Sequence, residues 1–161
     1  MLTHPFVLVT DRGGHLHNAL KLLEQLADRP DAIVTTHGPD IDSLRKNFPK
    51  VLEVPYLFRW FGKTRVFNPF GALKHLWVSA RLAWTLRPRS VVSLGASNVV
   101  CFCYFARVLG AKIIHVECMN QVTTKSVTGK LLYPICSELL VQWPELLRVY
   151  GPKARYEGWV L

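Results

Sequence analysis

Short apolar runs alternate with amphipathic stretches along the whole chain, and small-residue turns separate them. The first run is Phe6–Thr10; Asp11-Arg12-Gly13-Gly14 follows, and then Leu16, Leu20, Leu23 and Ala27 fall at i, i+4, i+7 and i+11. That spacing predicts a helix with one apolar face. Pro30 ends it, and Ala32–Thr36 predicts a second strand. After a polar connection with room for a short helix, residues 50–54 predict a third strand stopped by Pro55. A helix is expected over about residues 70–86, with Phe70, Leu73, Trp77, Ala80 and Trp84 on one face and Pro88 closing it. Ser90–Leu94 predicts a fourth strand, with Ser97 or Asn98 as the N-cap of a helix running to Gly110. That helix is apolar nearly all round, so burial is expected. Residues 112–117 predict a fifth strand, 126–135 a helix interrupted near Gly129, 138–142 a sixth strand and 144–150 a short helix.

Continuous apolar strands, each followed by a helix, imply a parallel sheet covered on both faces. Right-handed crossovers make this an α/β, Rossmann-like doubly wound parallel sheet. At 161 residues the chain is expected to be one domain, residues 1–161. Its hydrophobic content of 50% excludes intrinsic disorder. The N-terminal stretch has no basic region before its apolar run and no small-residue cleavage site after it, so no signal peptide is expected. The longest uncharged stretch, residues 90–106, falls short of the roughly 20 residues of a spanning helix, so no transmembrane segment is expected. Cys101, Cys103, Cys118 and Cys136 show neither CxxC spacing nor a paired histidine cluster. They read as buried reduced thiols, with no metal site and no cofactor, which fits a cytoplasmic protein.

The net charge of +9 points to an anionic partner, and its position narrows the choice. Residues 54–89 carry seven basic side chains (Arg59, Lys63, Arg65, Lys74, Arg81, Arg87, Arg89) and no acidic one. Tyr56, Phe58, Trp60, Phe61, Phe67, Phe70, Trp77 and Trp84 lie among them. Basic residues interleaved with aromatics suit an anionic membrane interface. The alternative is a helix whose aromatics pack on the sheet while its charges are solvated, or a split in which the helix packs and the loop over residues 56–70 inserts. Single-stranded nucleic acid would use the same composition. No nucleic-acid motif accompanies it, and none is expected to bind.

Ligands of a doubly wound sheet bind beyond the carboxyl ends of the strands. The first strand delivers Gly13-Gly14-His15, a sharp turn into a helix whose first N–H groups are open to an anion or a sugar oxygen. It is neither a GxGxxG fingerprint nor a P-loop, and it also suits a plain turn. Imidazole titrates near neutrality, which makes His15 a candidate general base. The fourth strand delivers Gly95, Ala96, Ser97 and Asn98, either a ligand turn or a simple cap. The fifth delivers Glu117, whose carboxylate must be solvated, paired to a basic residue or functional. First and fifth strands are two apart in such a sheet, so His15 and Glu117 could flank a crevice roughly 10 Å wide. Ser126, Thr128, Gly129 and Lys130 suit phosphate or sugar contacts as well as capping. His115 reads as a satisfied core or interface residue.

The run from Val91 to Gly158, with the long block SVTGKLLYPICSELLVQWPEL, together with GGHLHNALKLL near the start, resembles the PssD-type bacterial polysaccharide glycosyltransferase subunits. It is also similar to the membrane-side subunit of the eukaryotic two-part transferase that adds the second N-acetylglucosamine to dolichol-linked oligosaccharide. The resemblance implies the N-terminal, acceptor-side half of a GT-B glycosyltransferase, related to the MurG type. It implies a separate small subunit that binds the UDP-sugar, a polyprenyl-diphosphate-linked sugar as acceptor, and a peripheral position on the inner face of the cell membrane. On this likeness Gly13, Gly14 and His15 are the family loop, with His15 the base on the acceptor hydroxyl. Glu117 would orient or help deprotonate that hydroxyl, and Ser126, Thr128, Gly129 and Lys130 would line the interdomain cleft. The membrane contacts would be Arg59, Trp60, Phe61, Lys63, Arg65, Phe67, Phe70, Lys74, Trp77, Arg81 and Trp84. Two departures stand out: Asp11-Arg12 precedes the glycines where small or hydroxyl residues are common, and Asn120-Gln121 stands where many members carry an arginine. The rival reading is a non-catalytic scaffold that recruits a self-sufficient transferase to the membrane.

Overall fold

The computed structural model describes residues 2–61 and 64–159. Its strands are β1 (Phe6–Thr10), β2 (Ala32–Thr36), β3 (Val51–Val54), β4 (Phe58–Phe61), β5 (Thr64–Phe67), β6 (Ser90–Leu94), β7 (Lys112–Val116), β8 (Glu138–Leu140) and β9 (Ala154–Arg155). Its α-helices are α1 (Gly14–Gln25), α2 (Ile41–Asn47), α3 (Pro69–Leu86), α4 (Val100–Val108), α5 (Val127–Leu132) and α6 (Glu145–Tyr150). Seven strands form one parallel sheet in the order β3-β2-β1-β6-β7-β8-β9, and β4 and β5 pair antiparallel as a separate hairpin. The central strands are apolar on both sides because both sides are covered.

On one face Phe6, Leu8, Ile33, Val92 and Val116 meet Leu16, Ala19 and Leu22 of α1 and Ile41 and Leu44 of α2. On the other, Val7, Val9, Val34, Val91 and Ile113 meet Ala83 of α3, Phe102 and Ala106 of α4, Leu132 of α5 and Leu146 of α6. Fully burying each of the Val, Leu, Ile and Phe side chains among them is worth about 1.5–3 kcal/mol. The chain reverses its direction of travel across the sheet between β1 and β6, so the loops after those two strands meet at the switch point.

Several boundaries and faces differ from the sequence expectation. β3, β7 and β8 are each shorter than expected, and α6 starts at Glu145. The hairpin occupies the stretch expected to be a loop, and the two-residue β9 adds a seventh strand at the edge. A 3-10 turn over Ser97–Val99 precedes α4, and neither Ser97 nor Asn98 caps it by a side-chain hydrogen bond. α4 is also not buried all round: Tyr104 and Val108 are exposed, because only its inner side meets the sheet. α5 runs unbroken through Gly129. Of the readings given for α3, the one that packs its aromatics on the sheet does not hold: the buried face is His75, Ser79 and Ala83, and Phe70, Leu73, Trp77 and Trp84 are exposed. Cys101 and Cys118 are only half-buried, while Cys103 and Cys136 are buried; all four are free thiols.

Two histidines are sealed in the interior. His75 donates from Nδ1 to Pro55 O, and His115 from Nδ1 to Ser93 O at 3.1 Å, its Nε2 finding no hydrogen-bond partner among the described residues. Burial holds both imidazoles below their ordinary 6.5, against the opposing pull of Asp11 near His75 and Glu117 near His115. The unfolded chain therefore takes up protons near pH 6.5 that the folded chain refuses. Stability from these groups is full above pH 6.5 and is lost as the pH falls below it. Each histidine contributes a slope of up to about 1.4 kcal/mol per pH unit. Urea unfolding is expected to show lower stability at pH 5.5 than at 7.5, with a flatter dependence in His75→Gln.

Candidate functional site

The loop after β1 is organised by a buried carboxylate. Asp11 Oδ1 accepts from the Arg12 N–H at 3.0 Å and from the Thr36 hydroxyl, and Oδ2 accepts from Asn98 Nδ2 at 2.8 Å. Asn98 Oδ1 in turn accepts from the Leu57 N–H at 3.2 Å. Both ends of the Asn98 amide are thus spent inside the protein, pinning the root of the hairpin to the loop that carries the glycines. Gly95, at φ +145°, closes the arrangement: a Cβ there would lie 3.0 Å from the Asp11 nitrogen and 3.6 Å from His15 Cβ. Only glycine lets the loops after β1 and β6 approach this closely.

His15 sits one residue into α1, behind Gly13 and Gly14, and is half-buried at the carboxyl ends of the strands. Its Nδ1 lies 3.5 Å from Cys118 Sγ, in the loop after β7. Burial, with the charge of Glu117 beside it, pushes that thiol up to about 11, so it stays protonated at neutral pH. For His15 to accept a proton at Nε2, its Nδ1 must carry the hydrogen and direct it at the sulfur. The thiol tolerates this orientation, being both a weak donor and a weak acceptor.

Glu117 is 1% exposed, and its carboxylate is fully engaged. Oε1 accepts from the Cys118 N–H at 3.0 Å; Oε2 accepts from Ser126 Oγ at 3.0 Å and from the Tyr150 hydroxyl. Ser126 also caps α5, its Oγ accepting from the Gly129 N–H at 2.8 Å. A Cβ on Gly129 would overlap both the Tyr150 hydroxyl and Glu117 Oε2, so the residue read as a helix interruption is a point of close approach. Burial and the neighbouring Glu117 raise the Tyr150 phenol well above its ordinary 10. It acts here as a fixed donor.

The structure therefore brings His15, Gly95, Glu117, Ser126 and Gly129 into one neighbourhood, with His15 and Glu117 joined through Cys118. Asn98 belongs to the adjoining Asp11 knot, Thr128 is buried in α5 and Lys130 is exposed. Tyr150, Cys118 and Asp11 are additions that the sequence reading did not single out as site residues. Asp11 had a signal, a charge directly after a wholly apolar strand; Tyr150 had none. Among the described residues no cluster of three or more His, Cys, Asp or Glu side chains could hold a metal ion.

A parallel doubly wound sheet with polar residues gathered at its carboxyl ends beside the switch point is a Rossmann-like arrangement, the one that forms one half of the GT-B fold. MurG from Acinetobacter baumannii superposes with a TM-score of 0.70 at 20% identity, over 94% of this chain and 45% of that one. This chain thus spans less than half the length of that solved structure. The family model described as "Oligosaccharide biosynthesis protein Alg14 like" matches residues 6–160, and the chain belongs to that family. Curated relatives named UDP-N-acetylglucosamine transferase subunit ALG14 include one from Yarrowia lipolytica, 29% identical over 91% of this chain and 76% of its own length. Another, from Homo sapiens, is 33% identical over 94% of this chain and 81% of its own length.

Proposed function

We propose that the chain is the acceptor-side, membrane-associated subunit of a two-part inverting glycosyltransferase of the PssD type. It would help move a sugar from a UDP-sugar to a polyprenyl-diphosphate-linked saccharide in polysaccharide biosynthesis. The observation that carries this reading is His15, partly open at the carboxyl ends of the strands with its Nδ1 against a protonated thiol. Inverting transfer requires a base on the acceptor hydroxyl and stabilisation of the departing nucleotide diphosphate. His15 Nε2 is the base in this scheme. Glu117 is a positioning residue, because its oxygens are consumed in holding the loop after β7 against α5 and α6. A separate donor-binding subunit would supply most contacts to the leaving group.

The outward face of α3 supports the membrane part. Phe70 is 85% exposed, and Leu73, Trp77 and Trp84 are exposed beside it. Arg81 lies over Trp77 at 5.4 Å and Arg87 over Trp84 at 4.5 Å, which spreads cations across an apolar stripe. Exposed Val108 of α4 and Val127 and Leu131 of α5 stand on the same side of the sheet. Between Val54 and Ser137 the chain has eleven basic residues, and its single carboxylate, Glu117, is buried. No helix among the described residues is long and apolar enough to cross a membrane. Arg59, Trp60, Phe61, Arg65 and Phe67 are placed in the hairpin by their backbone, and Lys63 lies outside the described residues.

Co-expression with a donor-binding subunit and a screen of UDP-sugars against a polyprenyl-diphosphate sugar tests the enzyme. Transfer is expected only with both chains present; full activity of the partner alone would leave this chain a recruiting scaffold. Liposome flotation tests the surface. At roughly 1 kcal/mol per basic residue near an anionic surface, Lys74→Glu with Arg81→Glu is expected to weaken binding to anionic vesicles tenfold or more. Equal retention by the double variant and the native chain would remove α3 from the interface.

A further inference from the structure

We propose that Arg12 is an oxyanion clamp, its guanidinium holding a phosphate or carboxylate group of the acceptor beside the glycine loop. The proposal rests on the acceptor-side reading above and adds a recognition element to it. Arg12 directly precedes Gly13 and stands three residues before His15, and its backbone N–H is tied to Asp11 Oδ1. Its side chain packs at two further points. The stem lies against Gly38 so closely that a Cβ there would be 2.9 Å from Arg12 Cδ and 3.3 Å from Nη1. The head rests 5.4 Å from the centroid of the Tyr56 ring, and Tyr56 is itself fixed by its hydroxyl donating to His37 O at 2.7 Å.

A planar fork of donors is thus held in place on an aromatic shelf, the condition under which arginine loses least freedom on binding a flat oxyanion. Yet among the described residues no carboxylate pairs with it. Asp11 spends both oxygens on Thr36, Asn98 and the Arg12 backbone, and Glu53 spends its own on His37 and Arg45. A guanidinium so fixed and left without a counter-charge fits an anion that arrives from outside.

Its position says which molecule brings that anion. Tyr56 lies two residues before β4, and its carbonyl oxygen would be 3.3 Å from a Cβ on Gly71, in the first turn of α3. The guanidinium therefore bridges the loop carrying His15 and the root of the segment that faces the membrane. An acceptor with its hydroxyl at His15 and its lipid toward α3 passes this shelf. The oxyanion is either the diphosphate of the lipid carrier or the carboxylate of an acidic sugar.

Titration calorimetry on the full chain, with farnesyl diphosphate and separately with methyl glucuronoside, tests the clamp without any need for transfer. Arg12→Met is expected to weaken at least one of the two by twentyfold or more, and Arg12→Lys to recover part of the loss. Tyr56→Leu is expected to weaken the same ligand severalfold. Loss with farnesyl diphosphate assigns the oxyanion to the carrier, and loss with the glucuronoside assigns it to the sugar. Equal affinities of Arg12→Met and the native chain for both, or failure of the native chain to bind either, overturns the proposal. Full turnover by His15→Ala together with Arg12-dependent binding would sink the base assignment and leave the clamp standing.

Discussion

Turnover of the reconstituted two-subunit enzyme is expected to fall about a thousandfold in His15→Ala, since a positioned general base contributes some 10²–10⁴ to rate. The variant should fold and assemble normally, because His15 is half-buried and, among the described residues, its side-chain hydrogen bond is a weak one to the Cys118 thiol. Circular dichroism and co-purification with the partner subunit provide those controls. Turnover within tenfold of the native enzyme would place the base elsewhere. A companion variant separates orientation from proton transfer: Cys118→Ala removes the group at Nδ1 but leaves the imidazole. It should cost far less than loss of the ring itself.

The largest expected effect on stability comes from Glu117→Ala. Deleting that carboxylate leaves the buried Tyr150 hydroxyl and the part-buried Cys118 N–H and Ser126 hydroxyl without their acceptor. At about 1–3 kcal/mol for each unpaired buried group, a loss of roughly 3–5 kcal/mol is expected. That is a large part of the roughly 5–15 kcal/mol that holds a typical domain together. Urea unfolding measures it directly. Tyr150→Phe should cost only about 1–2 kcal/mol, because it leaves Glu117 with two of its three donors. A loss below about 1 kcal/mol in Glu117→Ala would show that water replaces those donors freely and that the carboxylate is not a structural knot.

The sheet was legible because each central strand is an apolar run with no polar face to confuse its period, as in Phe6–Thr10 and Ser90–Leu94. Topology alone directs attention to their loops, and His15 and Glu117 were singled out as candidates that way. The role of Glu117 was not legible. Its partner Tyr150 is 33 residues away, and Asn98 meets Asp11 across 87; only the fold brings such groups together. The outward turn of α3 was one of the readings the sequence allowed, beside packing on the sheet, and composition alone did not choose between them. Its aromatic face is the more apolar one, and burial preference alone assigns that face to the core. The stripe of His75, Ser79 and Ala83 is buried instead, with the His75 ring held by its bond to Pro55 O. In the hairpin the dense charge of 58–67 points to a surface. The alternation of Phe58-Arg59-Trp60 and the β-branched and aromatic pair Val66-Phe67 are nonetheless strand signals.

The thiol beside His15 offers a built-in reporter. With its pKa pushed up to about 11, Cys118 is ionised in only about one molecule in ten thousand at pH 7. A maleimide reacts with thiolate, so labelling at this position should run slowly while the loops after β1 and β7 stay closed. Each excursion that lifts Cys118 into water restores an ordinary thiol and permits capture. The rate of labelling then counts loop openings, and an acceptor that bridges His15 and Cys118 would register as protection without any turnover being measured.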